Sequence, residues 1–230
     1  MNVKGHLPVT LLDWEGKIAT VLFLGGCNFR CAFCHNPELV LRPDQQPSVP
    51  FEDVIAYLAG KKGWIDGVVI TGGEPTLSAS LRPMIDEIRS LGYPVKLDTN
   101  GSNPAILSSL LDDGVIASVA MDIKGSINDY CAITGSDVAP ETIRESIKLI
   151  LRSGVEHEFR TTAYPPAVSL AQLPDIASEL AEEGALKYVV QQFNPAKSLA
   201  PEASEVKPYR VQDLEDAVAV CNGFVPTKLR

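Results

Sequence analysis

Short apolar runs alternate with amphipathic stretches along the chain, and that order constrains the fold more than any other feature of the sequence. Strands are expected at 18–23, 67–71, 95–99, 119–123, 158–162 and 188–192, as brief Val/Ile-containing runs without strict polar alternation. That pattern suits parallel strands covered on both faces. Helical periodicity falls between them, at 51–58, 81–91, 105–111, 141–152 and 170–182, with a last helix at 211–220. The punctuation agrees. Gly92 and Gly154 follow two of these helices, and Asn103-Pro104 opens another. A repeating β-α order with short connections predicts an α/β fold with a parallel sheet and right-handed crossovers. Six units are too few for a closed eight-fold barrel. The expectation is a partial (β/α)6 barrel with a C-terminal helix, an open doubly wound sheet being the alternative. Neither repeats nor an interdomain linker interrupts 1–230, so one domain is expected, with a core at about 18–195 and an extension at 196–230 that begins in a Pro/Ala/Ser-rich loop.

Composition narrows the class of function. The chain of 230 residues carries Lys+Arg 20 against Asp+Glu 29, a net charge of −9. A broadly basic nucleic-acid surface is therefore excluded. No apolar run approaches the roughly 20 residues of a membrane-spanning helix. The start of the sequence has one Lys and an early Pro8 rather than a basic stretch leading into an apolar segment, so the cytoplasm is the expected compartment.

Of the five cysteines, Cys27, Cys31 and Cys34 lie within eight residues, while Cys131 and Cys221 stand alone. The isolated pair reads as small buried hydrophobes. The cluster follows the first expected strand as Gly25-Gly26-Cys27-Asn28-Phe29-Arg30-Cys31-Ala32-Phe33-Cys34-His35. Three thiols on one loop, outside any disulfide framework, point to a metal. Structural zinc sites use separated pairs and four ligands, and chelation of one ion by both Cys34 and the adjacent His35 is strained. Three thiolates instead suit an iron–sulfur cluster with one iron left without a protein ligand.

Charged residues close the following strands. Thr71-Gly72-Gly73-Glu74-Pro75 ends the second, Leu97-Asp98-Thr99-Asn100-Gly101 the third, Met121-Asp122-Ile123-Lys124 the fourth, and Arg160 falls at the end of the fifth. Alone, each Asp reads as a helix cap or turn residue. Together they converge on the carboxyl-terminal rim, where barrels and doubly wound folds build their sites.

The C-x3-C-x-aromatic-C pattern, with Phe33 as its aromatic, resembles the signature of radical S-adenosylmethionine (SAM) enzymes. Gly72-Gly73-Glu74 is similar to that family's GGE motif. The resemblance implies that Cys27, Cys31 and Cys34 hold a 4Fe-4S cluster. It implies too that SAM is bound by Phe33, His35, Gly72, Gly73, Glu74, Asp98, Asp122, Lys124 and Arg160. Asp98-Thr-Asn-Gly, Asp122-Ile-Lys124 and Cys34-His35-Asn36 resemble pieces of glycyl-radical-enzyme activases. The words at 13–23, 36–40 and 191–193 are similar to the longer type of anaerobic ribonucleoside-triphosphate reductase activating protein.

What this implies is an oxidoreductase that cleaves SAM reductively and abstracts a glycine Cα hydrogen from a partner enzyme. The cofactors carry that chemistry, so no protein acid, base or nucleophile is expected. Arg160 faces SAM or the substrate. The partners implied are a glycyl radical enzyme and a one-electron donor such as flavodoxin or ferredoxin, with no nucleic acid and no membrane. A monovalent cation near Asp98 and Asp122 is also implied. One departure is Glu15, where the family's opening turn usually has proline, which weakens the carry-over of Asp13 as a substrate-loop contact. Alternatives are a pyruvate formate-lyase-type activase, a small-molecule enzyme like 7-carboxy-7-deazaguanine synthase, or a non-catalytic metal-binding scaffold.

Overall fold

The computed structural model describes residues 3–230. Its elements run β1 (Val3–Thr10), β2 (Ala19–Leu24), α1 (Pro37–Leu41), α2 (Phe51–Ala59), β3 (Gly67–Gly72), α3 (Leu81–Ser90), β4 (Val95–Thr99) and α4 (Pro104–Asp112). They continue with β5 (Ser118–Asp122), α5 (Tyr130–Thr134), α6 (Pro140–Ser153), β6 (Glu156–Ala163), α7 (Gln172–Glu182), β7 (Tyr188–Gln192), α8 (Val211–Cys221) and β8 (Thr227–Leu229). The eight strands form one sheet in sequence order, parallel from β2 to β8 and not closed by hydrogen bonds between β1 and β8.

The six expected strands and six principal helices are present, and the sheet is larger than expected by one strand at each edge. β1 pairs antiparallel with β2, with register shifts on either side of Gly5–Leu7. Its Gly5 and Pro8 break the usual strand signal, but an edge position tolerates proline because one side of the strand needs no partner. β8 has three residues, too few for any periodicity to register. Both edge strands owe their existence to the neighbour they pair with.

The helices pack as their sequences require. Leu81, Met84, Ile85 and Ile88 of α3 are buried at helical spacing, as are Ile143, Ser146, Ile147 and Ile150 of α6. Pro104 and Pro140 sit in the first turns of α4 and α6, where a missing N–H costs nothing. Gly154 ends α6 in the left-handed conformation, with φ of 69°. Val95, Leu97, Val119, Met121 and Phe159 join these helices in the main core. Each fully buried aliphatic or aromatic side chain there contributes roughly 1.5–3 kcal/mol.

The opposite face of the sheet lines the barrel interior, and its character differs. A small apolar cluster of Trp14, Ala19, Val21 and Val69 fills one part. By strand alternation Lys96, Asp98, Asp122, Glu158 and Arg160 project inward from β4, β5 and β6. The β1–β2 connection carries Trp14 beneath this interior. Glu15, the departure noted in the sequence, ties that connection to β7 and β8: Lys187 Nζ lies 2.6 Å from Glu15 Oε2, and Lys228 pairs with Oε1.

Candidate active site

The loop after β2 is held from several sides. Gly26 N–H donates to Leu39 O at 2.8 Å, Arg30 N–H to Thr134 O at 2.6 Å, and Cys34 N–H to Cys31 O at 3.0 Å. The Arg30 guanidinium turns back onto Cys27 O at 2.7 Å and Phe29 O at 2.8 Å. Cys27, Cys31 and Cys34 are free thiols, and all three line one cavity of about 300 Å³ at the carboxyl ends of the strands. Among the described residues no three His, Cys, Asp or Glu side chains converge closely enough to hold a single metal ion. Three thiolates on one loop, with no fourth protein ligand beside them among the described residues, are the donor set of an iron–sulfur cluster with one open iron rather than of a four-ligand structural zinc. Burial pushes the Cys27 thiol up and the Cys31 thiol up to about 11, with Lys124 opposing. A metal centre among them would reverse that balance.

Phe33, His35, Gly72, Gly73, Asp98, Asp122, Lys124 and Arg160 line the same cavity, together with Asp13. Phe33 is braced by Tyr164, the ring centroids 5.0 Å apart, and Tyr164 meets Phe193 edge-on at 4.8 Å. His35 lies over Phe193 with the rings 15° from parallel. Gly72 adopts φ of 126°, and a Cβ there would sit 2.3 Å from Leu24 O; a Cβ on Gly73 would sit 1.9 Å from Gly26 O. The glycines thus let the end of β3 press directly on the start of the cysteine loop.

Glu74 lies outside the cavity lining, and it is fully buried. Its Oε1 accepts from Thr76 N–H at 3.1 Å, Thr76 Oγ1 at 2.6 Å and Thr99 Oγ1 at 2.8 Å. Oε2 accepts from Asn100 N–H at 2.6 Å. Burial raises its carboxyl above the usual range despite these four donors. Glu74 stands at the strand end where the sequence placed it, and its carboxylate joins β3 to β4 through Thr99 and Asn100, both of which line the cavity.

The charged wall is a continuous network. Arg160 Nε lies 2.9 Å from Asp122 Oδ1 and its Nη1 3.0 Å from Asp98 Oδ2. Lys124 Nζ lies 2.9 Å from Asp122 Oδ2. Burial pushes the Asp122 carboxyl up, but Arg160 and Lys124 outweigh it and hold it well below the usual range. Burial dominates at Asp98, which is raised although Arg160 and Lys96 oppose it. The Asp98 Oδ1 atom is buried without a hydrogen-bond partner, an acceptor suited to a ligand donor.

Several residues of the site were not singled out by sequence reasoning. Thr71, Thr99, Asn100, Thr162 and Gln191 also line the cavity. Thr162 and Gln191 are accessible to period-2 reasoning, since each lies at the end of an expected strand, Thr162 two residues beyond Arg160. Lys96 and Glu158 lie deeper in the interior, and nothing in their local sequence marks them. Of the isolated cysteines, Cys221 is buried as expected, whereas Cys131 is exposed on α5 with its Sγ 3.2 Å from Val138 O. The helix is one short turn and too small to cover it.

Parallel strands with their charged and thiol residues gathered at the carboxyl ends define an α/β enzyme of the strand-end type. The chain belongs to the Radical SAM superfamily, whose family model matches residues 21–180. A 4Fe-4S cluster and SAM are the cofactors this family implies. The chain is 28% identical over 97% of its length, and 92% of the relative's, to a Methanocaldococcus jannaschii protein named as a "putative glycyl-radical enzyme activating enzyme". It is 36% identical to the 7-carboxy-7-deazaguanine synthase of Rhodopirellula baltica over 39% of this chain and 34% of that one. In fold it is similar to SuiB of Streptococcus suis, solved with S-adenosylmethionine bound, at a TM-score of 0.70 and 16% identity over 91% of this chain. It spans 51% of the SuiB chain. No helix among the described residues is long and apolar enough to cross a membrane.

Proposed function

We propose that this chain is a glycyl-radical-enzyme activase, with Cys27, Cys31 and Cys34 holding the 4Fe-4S cluster and the Asp98–Asp122–Lys124–Arg160 wall holding SAM. The observation that carries it is the sharing of one cavity by three free thiols and a buried, ion-paired acidic and basic wall. When bound, the cluster and SAM supply one-electron cleavage of a sulfonium and removal of a hydrogen atom.

The chain's own residues orient and shield. The Gly72-Gly73 backbone brings the end of β3 against the cluster loop, and Phe33, backed by Tyr164 and Phe193, offers an aromatic wall for the adenine. Asp98 Oδ1 is free to accept from a ribose hydroxyl. Glu74 acts behind the surface, holding Thr99 and Asn100 in place. Arg160 already supplies positive charge between Asp98 and Asp122, so this reading needs no monovalent cation there. Anaerobic ribonucleotide reductase is the proposed partner on the resemblance of 13–23, 36–40 and 191–193, while the near full-length M. jannaschii relative supports the activase class alone. A flavodoxin or ferredoxin is the proposed electron donor.

A second reading, a small-molecule enzyme like 7-carboxy-7-deazaguanine synthase, is favoured by the 36% identity over 90 residues. One experiment separates the two. The protein is reconstituted anaerobically with iron and sulfide, reduced with dithionite and given SAM. The activase reading expects 5′-deoxyadenosine and, on adding an anaerobic ribonucleotide reductase, a glycine-centred doublet by electron paramagnetic resonance. Release of 5′-deoxyadenosine without that signal defeats the ribonucleotide reductase partner, and if pyruvate formate-lyase gives no doublet either it defeats the activase reading; absence of 5′-deoxyadenosine defeats both readings together.

A further inference from the structure

Lys96 and Glu158 are nearly inaccessible, their side chains 3% and 5% exposed, and neither lines the cavity. Lys96 Nζ lies 3.2 Å from Glu158 Oε1, 3.9 Å from Asp98 Oδ1 and 2.6 Å from the carbonyl oxygen of Asp13, which it joins as a donor. One ammonium thus links β4, β6 and the β1–β2 connection. Glu158 is ringed by cations: besides Lys96, Arg160 Nη1 lies at 3.9 Å, Lys187 Nζ at 3.2 Å and Arg230 Nη2 at 3.4 Å.

Burying such a pair is a poor way to gain stability. Desolvation opposes the attraction, and well-packed apolar residues often serve as well or better. What the pair does provide is position. Asp98 Oδ2 is engaged by Arg160, while Lys96 stands beside Oδ1 at ion-pair distance without a hydrogen bond to it. Lys96 therefore compensates the charge of Asp98 and leaves Oδ1 unengaged. Glu158 acts from the other side, attracting the same Arg160 nitrogen that Asp98 binds.

We propose that Lys96 and Glu158 are positioning residues for SAM, setting from beneath the cavity floor where Asp98 and Arg160 present their polar atoms. The proposal rests on the reading above that these two residues contact SAM.

The test measures SAM affinity without turnover. Parent and variants are reconstituted to matched iron content, kept oxidised, and dialysed to equilibrium against labelled SAM, with thermal melts in parallel. Lys96→Met and Glu158→Gln are expected to weaken SAM binding about tenfold, while Lys96→Arg, which keeps the charge, loses less than threefold. The double variant Lys96→Met/Glu158→Leu removes both charges, and its SAM affinity is expected to stay low whichever way its melting temperature moves relative to the single variants. Affinities within twofold of the parent in every variant overturn the proposal, as does affinity that recovers in step with the melting temperature. A parent that retains iron but binds no SAM overturns the underlying reading of the cavity, and this proposal with it.

Discussion

Glu74 Oε2 accepts the backbone N–H of Asn100 at 2.6 Å, so a carboxylate at the end of β3 fixes the end of β4. Asn100 in turn donates from Nδ2 to Asn28 Oδ1 at 3.1 Å and lies 3.8 Å from Cys27 Sγ. The acid is thereby connected to the cysteine loop without touching the cavity. Glu74→Gln puts an amide NH2 among four donors and leaves at least one without an acceptor, a cost of about 1–3 kcal/mol. The expected outcome is a lower urea midpoint together with faster loss of iron from the reconstituted protein. A variant with unchanged midpoint and unchanged iron retention would show that the link is dispensable.

The cysteines separate by environment. Cys31→Ala is expected to abolish cluster retention, because it removes one of three donors on the cavity wall. Cys221→Ala and Cys131→Ala leave iron content unchanged, since Cys221 is buried at the end of α8 and Cys131 is exposed on α5. Iron and sulfide analysis after anaerobic reconstitution checks this, and equal iron loss in all three variants contradicts the division.

Gly73→Ala tests the contact between the two motif loops. Its Cβ would meet Gly26 O at 1.9 Å, a backbone atom at the root of the cysteine loop, so one of the two loops must move. Overpacking of this kind costs roughly 1–3 kcal/mol. In a chain of this size that is a fall of about 2–12 °C in melting temperature. The same displacement should shift the visible absorbance of the reconstituted cluster, which an unrelated destabilising change elsewhere would not.

Stability in acid follows from Glu158. Burial raises its carboxyl, but Lys96, Arg160, Arg230 and Lys187 outweigh that and hold it at about 2, against 4.5 for the unperturbed group. Because the folded value is the lower one, the unfolded chain binds the proton more readily between the two. The contribution is full above about pH 4.5 and is lost as pH falls towards 2. Urea melts of the parent and of Glu158→Gln are therefore expected to differ most at pH 6–7, with the gap shrinking below about pH 4.5 and closing only as pH falls through 2. A gap that stays constant across this range contradicts the assignment.

Much of this molecule is local enough to read from the chain. The Val/Ile runs of β2 to β7 and the periodic faces of α3, α6 and α7 each bury themselves through their own spacing, and their bounds moved by only a residue or two. β1 and β8 were not legible, since a strand with Pro8 in it and a strand of three residues exist only because β2 and β7 offer them an edge. Within the site, Asp98, Asp122, Lys124 and Arg160 were visible because strand ends converge on one rim in any parallel sheet. The inward ends of the same strands carry no such mark. Lys96 looks like any charged residue near the start of a strand until β6 and the 11–17 connection are folded against it.

The division has one physical cause. Chemistry set by neighbours along the chain, such as three thiols on one turn, two adjacent glycines or a strand and its terminal acid, was determined by the sequence itself. Whatever depends on the dielectric and on partners brought from other strands was decided by the tertiary structure. It turned Glu74 inward onto four donors, placed Arg160 between two aspartates, and left Asp98 Oδ1 buried without a hydrogen-bond partner. A side chain's type is written locally, but its burial and its partners are long-range quantities, and these control what a charged group does.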